Sequence, residues 1–443
     1  MADRLSVTAV RSVAMRFAWI ALNALTGVIS ARALLPEGRG QLAAMILWPM
    51  LLAAVTSVGL PSALVYHVRR DARRAAEFVG WALVLCVVTT ALGVLGAWYV
   101  VPLWLHRQPA HVIAAAQWFL LMAPLCSLTV VGRAAWEASG RFERSNLSQL
   151  GPPLGVILGL SVLWALGALT PVSAAAVYML AGVPAIAWIV WSVSRQYRPT
   201  LRGARGAWRD LLHYGGRSYG IELAGVLSLH VDQALAVGLL SPAAMGIYAV
   251  ALNLSRIVPT ANSVAASMAF PKVVGLEPSR MAEAIARWAR MGSLASAATG
   301  AAILIAGPFL LRVLYGPAFA VAGQILPLLV GQALIAGLVH MLLQGFLAAG
   351  RPGLATVVQL TGFGVSVPLF LILTPRFGLT GVAVALLVST GVRLAVTLVC
   401  YRVVLRVPTP RLWIGGADLA EAARYRSVVV ASMLRLRAAG GMR

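Results

Sequence analysis

Long apolar stretches recur along nearly the whole chain, and no other feature constrains its fold as tightly. A hydrocarbon core roughly 30 Å thick is crossed by a helix of about 20 apolar residues, so each stretch reads as a membrane span. The composition agrees, with 60% hydrophobic and 11% charged residues and a mean hydropathy of +0.86, outside the balance of a soluble domain. A closed β-barrel is excluded because its strands alternate apolar and polar positions, whereas residues 79–101 are apolar on every face. The net charge of +23 does not signal a nucleic-acid partner. The basic residues are scattered among short connections between apolar runs and form no single solvated stripe. Cys86, Cys126 and Cys400 fall inside predicted spans without paired spacing and read as small buried hydrophobes. The first apolar run is long enough for a full span and has no clear cleavage context, so no cleaved signal peptide is expected.

Apolar runs between charged, proline or glycine punctuation predict twelve spans, at 12–33, 41–66, 79–101, 112–139, 147–170, 172–194, 215–240, 243–270, 291–314, 319–349, 354–374 and 379–403. Pro49, Pro124, Pro259, Pro327 and Pro368 mark the expected kinks. Alternate connections carry very different loads of arginine. One set holds Arg69, Arg70, Arg73 and Arg74, then Arg141 and Arg144, then the cations of 195–209 and of 272–290, and the basic tail. The other has isolated cations such as Arg39, Arg107, Arg312 and Arg376. This asymmetry predicts a multi-pass protein of the cell's inner, cytoplasmic membrane with both termini in the cytoplasm.

An internal repeat supports an even number of spans. Gly140 and Arg141, followed by Gln149 and Leu150, recur at the same spacing as Gly350 and Arg351, followed by Gln359 and Leu360. Gly40 and Ala43 similarly correspond to Gly246 and Ala249. Six spans per half leave both halves in the same orientation, a parallel repeat about an axis along the membrane normal. The expected division is an N-terminal six-helix lobe at 1–194, a cytoplasmic linker at 195–214, a C-terminal six-helix lobe at 215–403 and a basic tail at 404–443. Within the tail the apolar stretch 428–434 is too short to span, and its flanking arginines suit either an interfacial helix on anionic lipids or a disordered tail. Residues 281–290 allow the same interfacial reading.

Ionisable side chains within spans are costly and are therefore functional candidates. These are Arg16, Arg32, Arg133 and Glu137 in the first half, and Arg217, Glu222, His230, Asp232, Arg256, His340 and Arg393 in the second. Arg133 and Glu137 stand at i, i+4 spacing and read as an intrahelical ion pair. Arg32 lies near an outer interface, where snorkelling and a role in substrate release are both open. Arg393 lines the cavity or pairs with a neighbouring carbonyl. The seventh span is the most polar, with Glu222 and Asp232 on one helix at different depths. They bind a coupling cation, a proton or Na⁺, or neutralise Arg256. Arg16, Arg217 and Arg256, with Asn23 and Asn253, form a cationic pocket if the halves pack around a central axis, although Arg16, near the cytoplasmic start of its span, equally suits interfacial anchoring. Guanidinium forks suit phosphate oxygens because they stay charged and donate paired hydrogen bonds. The sequence has no GxxxxGK[ST] loop and no His/Cys cluster at metal spacing. A non-enzymatic transporter without a bound cofactor is the expectation.

Particular residues carry a family resemblance. The run Ala-Arg-Ala-Leu-Leu-Pro-Glu-Gly-Arg-Gly at 31–40 and Gly-Leu-Pro-Ser-Ala at 59–63 resemble polysaccharide-export flippases of the multidrug/oligosaccharidyl-lipid/polysaccharide superfamily. So do Asp232, Gly246, Tyr248, Ala251, Phe270-Pro271, Tyr315-Gly316, Gly350-Arg351, Phe377-Gly378 and Gly381. The resemblance implies an all-α polytopic fold of about twelve helices in two six-helix lobes, V-shaped around a central cavity and rocking in alternating access. It implies an undecaprenyl-pyrophosphate-linked oligosaccharide as substrate, held at its pyrophosphate and sugar by the cavity cations, with a polysaccharide polymerase and glycosyltransferases as partners. The fourteen-span arrangement of lipid II flippases is not expected. A multidrug or cation antiporter of the same superfamily and a non-transporting component of membrane glycan assembly are the alternatives.

Overall fold

The computed structural model describes residues 2–201, 206–410 and 412, with side chains for all of these except residues 2–14, 16, 221, 228 and 229. Every regular element among the described residues is helical. In chain order they are α1 (Ala2–Val55), α2 (Leu60–Arg70), α3 (Ala75–Trp104), α4 (Ala110–Leu120), α5 (Ala123–Ala138), α6 (Phe142–Ser148), α7 (Gly151–Ala165) and α8 (Pro171–Leu180). They continue as α9 (Val183–Tyr197), α10 (Ala207–Leu239), α11 (Pro242–Ser255), α12 (Thr260–Val273), α13 (Pro278–Leu310), α14 (Ala322–Ala348) and α15 (Pro352–Val403). Among the described residues seven stretches are long and apolar enough to cross a membrane, and α4 with α5 makes an eighth, bent by 43°. Two of these stretches are helix pairs, interrupted at Leu35 (φ 60°) and at Gly378 (φ 54°). Dividing them, and adding the polar α10 and the broken α11–α12 pair, gives the twelve crossings read from the sequence. The apolar tail stretch 428–434 lies outside the described residues.

The prolines divide into two groups. Pro124 begins α5 at the bend, and Pro259 caps α12 at a break. Pro49, Pro327 and Pro368 lie within helices that continue through them, so the expected kinks at these three are not helix breaks. A transmembrane proline frees one carbonyl, and neighbouring helices or local adjustment of the turn satisfy it.

Contacts group the chain into two units. The first comprises Met1–Asn253, Pro308–Ile325 and Phe363–Ala385, and the second Leu254–Gly307, Leu326–Gly362 and Leu386–Arg443. In the first, α2, α3, α5 and α9 enclose a core that includes Leu64, Phe78, Cys86, Val131, Trp136 and Ile189. Small residues set the closest approaches, as expected where lipid supplies no hydrophobic drive between helices. At Gly40 an added Cβ would lie 1.7 Å from the Pro242 carbonyl oxygen, and at Gly246 it would lie 1.9 Å from that of Pro36. The two glycines related by the repeat therefore pack reciprocally, each on the turn before the other. Arg107 donates to the Leu239 carbonyl at 2.7 Å and Trp104 to that of Ala234 at 2.7 Å, satisfying carbonyls of the last turns of α10. Arg39 is buried here, with Nε and Nη1 meeting no acceptor among the described residues.

The second unit is built around Ala265, Ile285, Ala289, Leu342, Phe346 and Tyr401. Tyr401 donates to the Leu342 carbonyl at 2.7 Å, and Asn262 to Ser296 at 3.1 Å, so these two buried side chains tie helices together. Arg393 donates to Gln359 at 3.1 Å and to Thr390 at 3.0 Å, so it is engaged by side chains of its own helix pair.

The repeat persists at the level of single hydrogen bonds. Gly140 (φ 77°) and Gly350 (φ 70°) end α5 and α14 in the left-handed conformation that glycine adopts without strain. The Arg141 amide donates to Trp136 at 2.8 Å, and the Arg351 amide to Phe346 at 2.9 Å, the six-to-one bond of a Schellman motif in both cases.

Candidate functional site

The second span of each half is interrupted. Residues 56–59 separate α1 from α2, and residues 256–259 separate α11 from α12. Two turn bonds correspond, Ser57 to Ala54 and Leu60 to Ser57 in the first and Ile257 to Leu254 and Thr260 to Ile257 in the second, while the backbone differs: Val58 and Gly59 are left-handed (φ 47° and 70°) and Pro259 is not (φ −75°). Broken apolar segments at corresponding positions of two halves are the best local pointer to a transporter's binding site, because non-helical backbone at membrane depth must be buried in protein or line a cavity.

Neighbouring helices finish the first break. Thr89 donates to the Thr56 carbonyl at 2.8 Å, and Thr56 and Thr90 share a hydroxyl contact at 2.7 Å. Tyr219 of α10 donates to the Val55 carbonyl, the last of α1. The backbones of Gly59 and Gly215 touch, since a Cβ on Gly59 would stand 2.3 Å from the Gly215 carbonyl oxygen. Ser62, one turn into α2, donates to Glu222. Further down α10 the Tyr66 and Tyr214 rings stack at 4.3 Å, and Arg74 meets Asp210 at 3.6 Å and Glu77 at 3.2 Å. The charged helix is thus docked along the broken one, and a hydroxyl donor meets Glu222 where burial would otherwise penalise it.

Asp232 lies further along α10. Tyr248 of α11 donates to its Oδ2 at 3.0 Å, while Oδ1 is buried without a donor among the described residues. Asn253 and Asn23 sit at neighbouring levels. The Asn253 amide nitrogen is 3.7 Å from where a Cβ on Gly27 would be, one turn beyond Asn23. Asn23 itself donates to the Trp19 carbonyl of its own helix at 2.8 Å.

The predicted cations are placed differently. Arg217 is exposed on α10, two residues before Tyr219. Arg256 is exposed and opens the second break, in the second unit. The Arg16 side chain lies outside the described residues. Three of the other charged candidates meet partners within the protein. Arg32 donates to the Val313 carbonyl at 2.5 Å, at the end of the α13 segment. Ser145 bridges Arg133 and Glu137, accepting from the arginine at 3.1 Å and donating to the glutamate at 2.8 Å, so a hydroxyl links the expected ion pair. Sequence reasoning missed Tyr219 and the Thr56–Thr89–Thr90 cluster, and had Ser62 and Tyr248 only as positions of the family resemblance, without their carboxylate partners. The Gly-Leu-Pro-Ser signal at 59–62, with proline in a new helix's first turn, was the one cue to the break.

Comparison with known proteins bears on this arrangement. A family model described as polysaccharide biosynthesis protein matches residues 29–323, a stretch that includes both breaks and α10. The amylovoran biosynthesis protein AmsL of Erwinia amylovora is 27% identical over 151 residues, which are 32% of this chain and 38% of that protein. The match thus spans well under half of that relative. Two solved structures are similar in fold. The lipid II flippase MurJ in an inward closed conformation superposes with a TM-score of 0.73 at 12% identity, covering 97% of this chain and 93% of that one. An inward-facing multidrug resistance MATE transporter of the MOP superfamily gives 0.68 at 15% identity, covering 88% and 94%.

Proposed function

The chain belongs to the polysaccharide biosynthesis protein family, and from that premise we propose that it is a member of the multidrug/oligosaccharidyl-lipid/polysaccharide superfamily that flips an undecaprenyl-pyrophosphate-linked oligosaccharide across the cytoplasmic membrane. The observation that carries the reading is the family match over 29–323, which takes in the paired breaks and the charged α10. Arg256, at the second break, offers a guanidinium fork to the pyrophosphate, with Arg16, Arg217, Asn23 and Asn253 completing the substrate contacts. Glu222 and Asp232 take up a coupling proton or Na⁺, and the lobes 1–194 and 215–403 rock in alternating access. The lipid tail stays in the bilayer while the glycan crosses. Both termini face the cytoplasm, where glycosyltransferases build the substrate, and a polymerase takes the flipped unit on the far side.

The test is reconstitution of the full chain in vesicles, with flipping of a lipid-linked oligosaccharide read by accessibility to an externally added glycan-modifying enzyme. Protein-dependent flipping is expected, and its absence in folded, correctly inserted protein would overturn the reading. The carboxylates of α10 favour a second reading, a multidrug or cation antiporter. That reading predicts gradient-driven movement of an organic cation in the same vesicles, with no flipping of the lipid.

A further inference from the structure

A cavity of about 730 Å³ opens in the second unit, where the N-terminal part of α13 meets the chain that follows α15. Arg280, Arg287 and Arg290 line it, with Glu283 the one carboxylate among its described lining residues, Trp288 beside them and Pro408 on the opposite side. The helix here is two-faced. Met281, Ile285 and Ala289 are buried in the unit's core, whereas Arg280, Glu283 and Arg287 are exposed. Lys272 stands 5.0 Å from the centre of the Trp288 ring, an aromatic–cation pair suited to a membrane–water boundary. Val274 and Leu276, on the turn before α13, are 51% and 41% exposed, which places apolar side chains in the same short segment as the cations. Immediately beyond Arg290 the helix becomes an apolar span.

Cations above, apolar side chains beside them and a span beginning below describe the level of lipid headgroups. Among the described lining residues three guanidinium groups stand with one carboxylate, and guanidinium forks match phosphate oxygens in both geometry and charge. We propose that this cavity binds the phosphate headgroup of an anionic phospholipid of the inner leaflet, with the acyl chains leaving past Val274 and Leu276. The site is separate from the two helix breaks, so it does not depend on which substrate the protein moves.

The full chain, purified in neutral detergent, would be offered phosphatidylglycerol and phosphatidylcholine in equal amounts and the retained lipid read by native mass spectrometry. Preferential retention of phosphatidylglycerol is expected. Removing two wall cations with Arg287→Gln and Arg290→Gln should weaken it roughly thirtyfold, given the attraction of an interfacial arginine for anionic lipid. The pair Arg141→Gln and Arg195→Gln removes the same charge elsewhere on the basic set and should leave retention unchanged. Equal losses in both pairs would overturn the proposal in favour of diffuse charge attraction. Displacement of the lipid by millimolar inorganic phosphate would overturn it in favour of a free anion. A gain in retention on Asp418→Asn with Glu421→Gln would overturn it by identifying the chain's own tail as the occupant. Should the cavity variant prove unstable, hydrogen exchange of residues 278–290 in the wild-type chain decides. Protection by phosphatidylglycerol but not phosphatidylcholine supports the site, and no protection overturns it.

Discussion

The breaks at 56–59 and 256–259 share two turn hydrogen bonds but differ in backbone conformation and in the way they are finished. The first is tied down: Tyr219 and Thr89 take its carbonyls, Gly215 lies against Gly59, and Ser62 holds Glu222. The second begins with an exposed arginine and reaches α12 through Pro259. The first break is thus a joint with α10, and the second carries an exposed arginine at its start. A duplicated fold permits this division, because the backbone interruption is inherited while the side chains around it diverge.

The largest test of that contrast is a pair of substitutions at corresponding turn positions. Gly59→Val puts a branched side chain where φ is 70° and where even a Cβ stands 2.3 Å from the Gly215 carbonyl oxygen. Backbone strain and overpacking together cost roughly 3 kcal/mol or more, enough to remove most folded protein. Pro259→Ala keeps an accessible backbone conformation (φ −75°) and should shift stability by less than about 1 kcal/mol. Thermal melts followed by size-exclusion recovery check both. Equal melting of the two variants would abolish the distinction between joint and charged turn.

The next effect is on transport. Arg256→Ala is expected to leave insertion and melting unchanged but to slow flipping at least about tenfold, the loss of one charge-assisted phosphate contact. Normal flipping would remove Arg256 from the substrate site. On the other side of the comparison, Asp232→Asn should leave the protein folded while removing the dependence of flipping on the ion gradient. Unchanged gradient dependence would take the coupling role away from α10.

What was legible in the sequence follows from the range of the forces involved. Spans and the Gly140 and Gly350 corners were legible because twenty apolar residues, or a glycine after a helix, carry their structural meaning locally. The breaks were only half legible. Pro259 marks one, but at 56–59 the interruption precedes the nearest proline, and Pro327 and Pro368 interrupt nothing. Whether a transmembrane proline breaks its helix depends on partners that satisfy the freed carbonyls, and these come from distant parts of the chain. Glu222 and Asp232 were found because charge in an apolar span stands out. Ser62 and Tyr248 were not legible as their partners, because a hydroxyl in a helix bonds its own backbone by default. The Arg133–Glu137 spacing gave the neighbours correctly but missed Ser145, eight residues beyond Glu137, which joins them.

The smallest effect probes the joint itself. Tyr219→Phe deletes the hydroxyl that meets the Val55 carbonyl and leaves the ring in place. Hydrogen bonds between transmembrane helices contribute about 0.6 kcal/mol on average and no more than about 1.7, because the unfolded chain in the membrane also finds partners. The Val55 carbonyl sits at the end of α1, where the helix supplies no further donor of its own, so a loss towards the upper end is expected. A melt lowered by a few degrees, with flipping retained, fits a joint that holds α10 without touching substrate. Loss of flipping at unchanged stability would instead make the first break part of the transport pathway, and the two interruptions would then share one role.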